Sequence, residues 1–417
     1  MRERAVFDPT QDCKLVGAAR ALSGVKDAIT VVHGRHGCHC GVLLLRALGS
    51  NQNDIRIVGS AFRASDMIYG AEGNLAAAIK LSYKNFEPAL IAVLNCSAPA
   101  IMGDDVEGVV LSMNEEIPAE IFSLSTGGYE GPAWIGYEET LAELTPFMVE
   151  SEKEENSVNL IGFKQDEIKA YSDLLEIERM LNSQGITVNS VLTNSRFEQI
   201  KKAPEASLNI VLGGDGLENA KIMREKFDVP YVVTPYPFGL NNSIEFLERV
   251  TQGLNKECDR EFISAEKAVI KERIENVFLF LEGIYDTSVA VVGDGGRAFD
   301  LAKFLSDELG FGVKVLAITS KNYVTPDKEK EDYFDTLLIE PDRFEMNREI
   351  KAKGVEMIFG SSMEKKLAYE LGAPLVRMFY PILDEVSISD SPYAGFKGTI
   401  QLTENIINSV ISNYAEI

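Results

Sequence analysis

Residues 33–40, "HGRHGCHC", contain all three histidines and two of the five cysteines of this 417-residue chain. Imidazole and thiolate are favoured ligands of transition metals. The stretch could therefore be a zinc site, a redox thiol pair, part of an iron–sulfur site, or a packed turn. Spacing narrows the choice. Structural zinc usually takes two separated ligand pairs. No second pair exists here, because Cys258 lies in the charged stretch "NKECDRE" and reads as a solvated helix residue. Thiol–disulfide exchange uses C-x-x-C, whereas Cys38 and Cys40 form C-x-C. His33 ends an apolar run and reads as a hydrogen-bonded structural histidine, while His36 and His39 flank Cys38 and read as neighbours of a site rather than ligands.

Two other cysteines occupy positions like that of Cys38. Cys13 opens the helical stretch "CKLVGAARALSG". Cys38 stands between the strand-like "AITVVHG" (28–34) and the apolar "GVLLLRALG" (41–49). Cys96 closes "ALIAVLNC" (89–96) before "SAPAIMGDDVEGVV". Each lies near an expected helix N-terminus, where the helix dipole favours thiolate. Thiolates are the ligands of iron–sulfur clusters. One such cysteine alone is commonly a small buried hydrophobe, but three in one region point to a shared cluster.

The elements that must position them recur along the chain. β-branched runs ending in small residues alternate with helical periodicity, among them "IRIVGSAF" (55–62), "VNLIGF" (158–163), "LNIVLGGDG" (208–216) and "SVAVVGDGG" (288–296). Continuous apolar strands imply parallel sheets covered on both faces, and the alternation implies a doubly wound α/β fold. "VESEKEENS" (149–157) reads as a linker or exposed loop, and 254–286 as one long helical stretch. Ile263, Ile270, Ile274, Val277 and Leu281 would share one face of that stretch. The expected organisation is three Rossmann-like domains over 1–155, 156–270 and 271–417, with the cluster cysteines in the first. The glycine loop in "VVGDGGRAFDLAKFL" lacks the full G-x-G-x-x-G and reads as a tight turn rather than a dinucleotide site.

Composition limits the partners. With 41 basic and 64 acidic residues the net charge is −23, so nucleic acid and anionic membrane surfaces are poor partners. No signal peptide opens the sequence, no apolar run spans a bilayer, and the cysteines are too few for a disulfide framework. A reduced, cytoplasmic protein is expected.

The cysteine pattern resembles that of the β-type subunits of nitrogenase component 1 and the nitrogenase-like reductases. The likeness rests on "CKLVGAARALSGVKDAITVVHGRHGC", the segment with Asp66, Gly70, Asn74 and Leu75, and "ALIAVLNCSAPAIMGDD". Cys13, Cys38 and Cys96 lie 25 and 58 residues apart, close to the family spacing. Weaker similarity runs to the end of the chain. The resemblance implies an oxidoreductase subunit of three Rossmann-like domains in a dimer or heterotetramer. Cys13, Cys38 and Cys96 would be the metal ligands of an iron–sulfur cluster, either eight-iron P-type ([8Fe–7S]) or [4Fe–4S], shared at a subunit interface. Gly34 and Gly37 would let backbone approach that cluster, and Cys40 departs from the pattern. An ATP-dependent iron protein would supply electrons, passed on to an active site in an α-type partner. No histidine follows His39, so this chain lacks the late histidine that anchors the catalytic cofactor in α-type chains. The short segment before Cys13 points to a nitrogenase-like enzyme with another substrate. The alternatives are a tetrapyrrole-reducing enzyme and a non-catalytic scaffold for cofactor assembly.

Overall fold

The computed structural model describes residues 13–48, 56–322 and 332–415; residue 55 of the run 55–62 therefore lies outside it. Among the described residues the apolar runs form thirteen strands in three sheets. The first sheet contains β1 (Ala28–His33), β2 (Ile57–Gly59), β3 (Leu90–Asn95) and β4 (Glu120–Ser125), in the order β2-β1-β3-β4. The middle sheet contains β5 (Glu154–Ile161), β6 (Thr187–Val191), β7 (Ala206–Leu212) and β8 (Tyr231–Thr234), in the order β6-β5-β7-β8. The last contains β9 (Ser288–Asp294), β10 (Gly312–Ser320), β11 (Leu337–Ile339), β12 (Met357–Gly360) and β13 (Leu375–Arg377), in the order β11-β10-β9-β12-β13. Every strand pairing among the described residues is parallel. The expected doubly wound α/β architecture is what the chain adopts.

Alternation explains why these strands are apolar on both sides. In the first sheet Ile29, Val31, Ile91 and Val93 pack with Leu75, Ile79, Val106 and Val110 of covering helices. Their neighbours Val32, Ala92 and Leu94 face the helix Lys14–Leu22 in a core that also takes Ile161 and Val211 from the middle sheet. The opposite face of the middle sheet, with Val158, Leu160 and Ile210, shares one core with Val289, Val291 and Phe359 of the last sheet. The middle sheet is thus packed on both sides. The last helix, Gly395–Ala415, lies after the third sheet in sequence, yet packs on the middle sheet's helices Ala170–Ser183 and Gly239–Gly253. No helix of the described residues is long and apolar enough to cross a membrane.

Two local expectations change. Within the expected linker, Glu154–Ser157 already belong to β5, with Glu154 opposite Ala206. A backbone ladder needs no apolar side chains, so charge does not keep these residues out of a strand. The long helical stretch divides into Arg260–Glu275 and Phe278–Ile284, with Asn276 closing the first. The shared face survives the break: Ile263 and Ile270 are buried, and Ile274, Val277 and Leu281 pack partly against the same core.

Charged side chains join the sheets where their carboxyl ends meet. Lys164, just past β5, bridges Asp215, after β7, and Asp294, the last residue of β9. Arg20 of the first helix grips Asp166 through two hydrogen bonds of 2.7 and 3.0 Å, reaches Glu167 at 3.2 Å, and stacks 3.8 Å over the Tyr380 ring. Arg297 lies 3.5 Å from Glu167 and 4.2 Å over the Tyr236 ring, and Tyr236 donates to Asp173 at 2.8 Å. Burial draws positive and negative groups into pairs, because an isolated charge here would be very costly.

Glu138 borders this cluster. One of its oxygens accepts from the Gly216 N–H, and the other has no partner. Burial, reinforced by Asp215, pushes its carboxyl up to about 7. An unfolded glutamate releases its proton near 4.5, so over this window the folded state binds the extra proton. Stability contributed by Glu138 is therefore complete below about 4.5 and lost as pH rises through about 7. Urea midpoints measured across this window should decline with pH, and Glu138→Gln should flatten that decline.

Candidate metal centre

β1 and β3 are neighbours whose onward connections run to opposite edges of the sheet, β2 on one side and β4 on the other. That is the switch point of a doubly wound sheet, where a crevice opens beyond the carboxyl ends of the strands. His33 and Asn95 pair at those ends; Cys96 follows Asn95 directly, and Cys38 lies in the helix that begins at His36. Cys96 is buried and caps the short helix Ser97–Met102, while Cys38 sits half-buried in the first turn of His36–Leu48.

Cys13 reaches the same crevice from another direction. It caps the helix Lys14–Leu22, which lies against Ala133–Leu144 at backbone contact. A Cβ on Gly17 would stand 1.6 Å from the Ala133 oxygen, and one on Gly136 would stand 1.9 Å from the Lys14 oxygen. Only glycine permits that approach. The Lys14 N–H donates to Gly131 O at 2.9 Å, and its ammonium pairs with Glu130 and Glu139 at 3.3 and 2.6 Å. Cys13 is thereby fixed beside the loop after β4. There, a Cβ on Gly128 would lie 3.7 Å from Cys13 Cβ, and the Gly128 N–H donates to Ser97 Oγ at 2.8 Å.

The remaining marked residues divide clearly. A Cβ on Gly34 would meet Cys96 Cβ at 2.6 Å and Sγ at 2.9 Å, so the close approach at this glycine is to Cys96 itself. Around Gly37 the space is open, with nothing within 4 Å of an added Cβ. Cys40 is exposed. His33 is fully buried between Ser60 Oγ at 2.9 Å and Asp104 Oδ2 at 3.2 Å. Burial lowers its pKa. A neutral ring that donates Nε2–H to the carboxylate and accepts the Ser60 hydroxyl at Nδ1 satisfies all three groups. It also ties β1 to the segment that follows the Cys96 helix. His36 is exposed, and His39 lies 3.4 Å from Ile57 O. Asp66 accepts from the Arg63 N–H at 2.6 Å and the Asn74 amide at 2.7 Å, while Gly70 turns at φ +84 and Leu75 is buried. That segment is a loop clamp beside the crevice.

The thiols influence one another. A proton shared with Cys96 lowers Cys38 to about 6, and the same sharing, with burial, raises Cys96. Among the described residues no three His, Cys, Asp or Glu side chains form a group suited to a single metal ion. Three thiols set around a crevice instead suit an extended, polynuclear group. The soft donor set and the open space at Gly37 fit an iron–sulfur cluster, whereas the space at Gly34 is taken by Cys96.

Sequence reasoning did not find Ser97, His33's partner Asp104, or the contacts of Gly17 with Ala133 and of Gly136 with Lys14. Ser97 follows Cys96 directly and Asp104 lies in the quoted "GDD", but neither pairing leaves a spacing signal. In the loop "VVGDGG" the backbone is tightly packed: Gly295 turns at φ +44, and a Cβ on Gly296 would meet Gly213 O at 1.9 Å.

Comparison with known proteins follows this geometry. A family model described as nitrogenase component 1 type oxidoreductase matches residues 13–411. The nitrogenase molybdenum-iron protein beta chain of Methanococcus maripaludis is 25% identical, covering 99% of this chain and 96% of its own. The nitrogenase iron-molybdenum cofactor biosynthesis protein NifE of Clostridium pasteurianum is 24% identical, over 96% and 88%. The structure of nitrogenase Cp1 at pH 6.5 superposes with a TM-score of 0.85 at 21% identity, covering 99% and 95%.

The two glycines of the turn should respond differently to the same added methyl. Gly34→Ala forces Cys96 aside and should cost roughly 1–3 kcal/mol in urea unfolding. Gly37→Ala enters open space in a helix and should be neutral or stabilising by up to about 1 kcal/mol.

Proposed function

This chain belongs to the nitrogenase component 1 type oxidoreductases, and from that premise we propose that it holds an iron–sulfur cluster at a subunit interface and relays electrons through it. Cys13, Cys38 and Cys96 are the thiolate ligands. Gly34 makes room for Cys96, His33 and Asp104 hold the Cys96 segment to β1, and Lys14 fixes the segment of Cys13. Bound there, the cluster supplies a reservoir for single electrons. In this reading an ATP-dependent iron protein delivers them, and an active site in an α-type partner consumes them.

The observation that carries the proposal is an exposed apolar rim around the three-cysteine crevice. Ile68 is 77% exposed, Tyr69 86%, Ile101 73% and Tyr129 62%. Ile101 is on the helix that Cys96 caps, Tyr129 is next to Gly128, and Ile68 and Tyr69 are on a helix packed against Ser97–Met102. Large apolar side chains clustered at a functional crevice mark a protein interface. Three thiolates also fall short of the four that a [4Fe–4S] cluster usually takes, which calls for ligands from a second chain or for additional bridging sulfide.

The similarity to NifE favours one second reading, a scaffold on which a cofactor is assembled. In that case the crevice and partner surface remain, but the purified complex would not turn over substrate.

Anaerobic co-purification with iron and sulfide analysis tests the assignment. Cys38→Ala combined with Cys96→Ala should remove nearly all cluster iron and its charge-transfer absorbance, and retention of both would overturn it. Ile68→Asp with Tyr129→Asp should weaken partner association at least ~10-fold in gel filtration. A homodimer with about four irons would instead favour a tetrapyrrole reductase.

A further inference from the structure

Away from the cysteines, a cavity of about 170 Å³ opens between the middle and last sheets beyond the carboxyl ends of β7 and β8. Its lining includes Thr234, Glu245, Arg249, Asp300, Lys303 and Tyr333. Thr234, the last residue of β8, is 1% exposed, yet its hydroxyl has no hydrogen-bond partner. Nearby buried hydroxyls do not share this condition: Ser243 donates to Gly239 O at 2.5 Å and Thr251 to Leu247 O at 2.8 Å. A buried polar group without a partner is a cost that folds normally avoid.

Two cations stand at the rim of this cavity. Arg249 donates to Val233 O at 2.8 Å, which fixes one edge of its guanidinium, and pairs with Glu245 at 2.5 Å. Lys303, from the helix Gly295–Asp307, lies 3.7 Å from the same Glu245. These ion pairs are partly exposed and therefore weak, so an incoming anion can replace Glu245 as their partner. Asp300 is held in place by the Tyr236 N–H at 2.8 Å.

We propose that this cavity binds a small phosphate-class oxyanion, with Arg249 and Lys303 as its cationic partners and Thr234 donating its hydroxyl from the floor. The guanidinium fork matches oxyanion geometry, and lysine adds a mobile point charge. The carboxylates of Asp300 and Glu245 select an anion that itself carries O–H groups, as hydrogen phosphate does and sulfate at neutral pH does not. The site lies where parallel sheets place their ligands, and it uses none of the residues assigned to the cluster.

The test is calorimetric titration of inorganic phosphate, at fixed ionic strength, into the full chain purified anaerobically with its partner. Saturable one-to-one binding is expected, accompanied by a rise in Tm, with sulfate much weaker. Arg249→Gln and Lys303→Gln, both at partly exposed positions, should each weaken binding about tenfold or more. Thr234→Val should leave Tm unchanged or higher in phosphate-free buffer, because it removes an unpartnered hydroxyl, while weakening phosphate binding. Absence of saturable binding at tens of millimolar phosphate would overturn the proposal. So would binding that all three substitutions leave intact.

Discussion

The burial of Lys164 between Asp215 and Asp294 constrains the whole arrangement. The middle sheet contributes the lysine and one aspartate, and the last sheet contributes the other. Neither sheet can move away without leaving a charge in the interior, a change that typically costs about 3–5 kcal/mol. Apolar packing favours contact between these sheets but tolerates sliding. The ion triad does not, because its geometry is directional. Arg20 extends the same constraint to the first helix, so the helix that carries Cys13 is held in register with elements of the other two sheets.

The candidate metal centre follows from parallel-sheet topology more than from any local motif. Where neighbouring connections diverge, two strand ends are left facing a crevice. The two cysteines that follow these strands, Cys38 and Cys96, lie there because β1 and β3 are adjacent and in register, His33 opposite Asn95. The third arrives through helix–helix contact, which depends on glycine at 17 and 136. Three thiols widely separated in sequence thus converge through two independent packing rules.

Much of this was legible in the sequence. Apolar runs of β-branched residues located strands such as β1, β3, β7 and β9, because strands buried on both faces must be apolar throughout. Cysteine spacing picked out the three residues that surround the crevice. What stayed hidden were properties of pairs. Nothing adjacent to Lys164 announces Asp294, 130 residues away, and a glycine that permits contact looks like one that permits a turn. Likewise, Glu154–Ser157 carry the composition of a loop but the hydrogen bonds of a strand. Composition reports on side-chain environment, whereas the ladder is a backbone matter.

The glycine-lined contact between the helices Lys14–Leu22 and Ala133–Leu144 also sets an order of events during synthesis. Cys13 leaves the ribosome early, but the helix that fixes it, Ala133–Leu144, emerges more than a hundred residues later. At typical elongation of roughly 5–20 residues per second, Cys13 remains without its supporting helix for many seconds. Until then Cys13 has no fixed position relative to Cys38 and Cys96. The architecture therefore brings the three thiols together only after the first sheet is complete, once the order of translation no longer dictates which thiol is available.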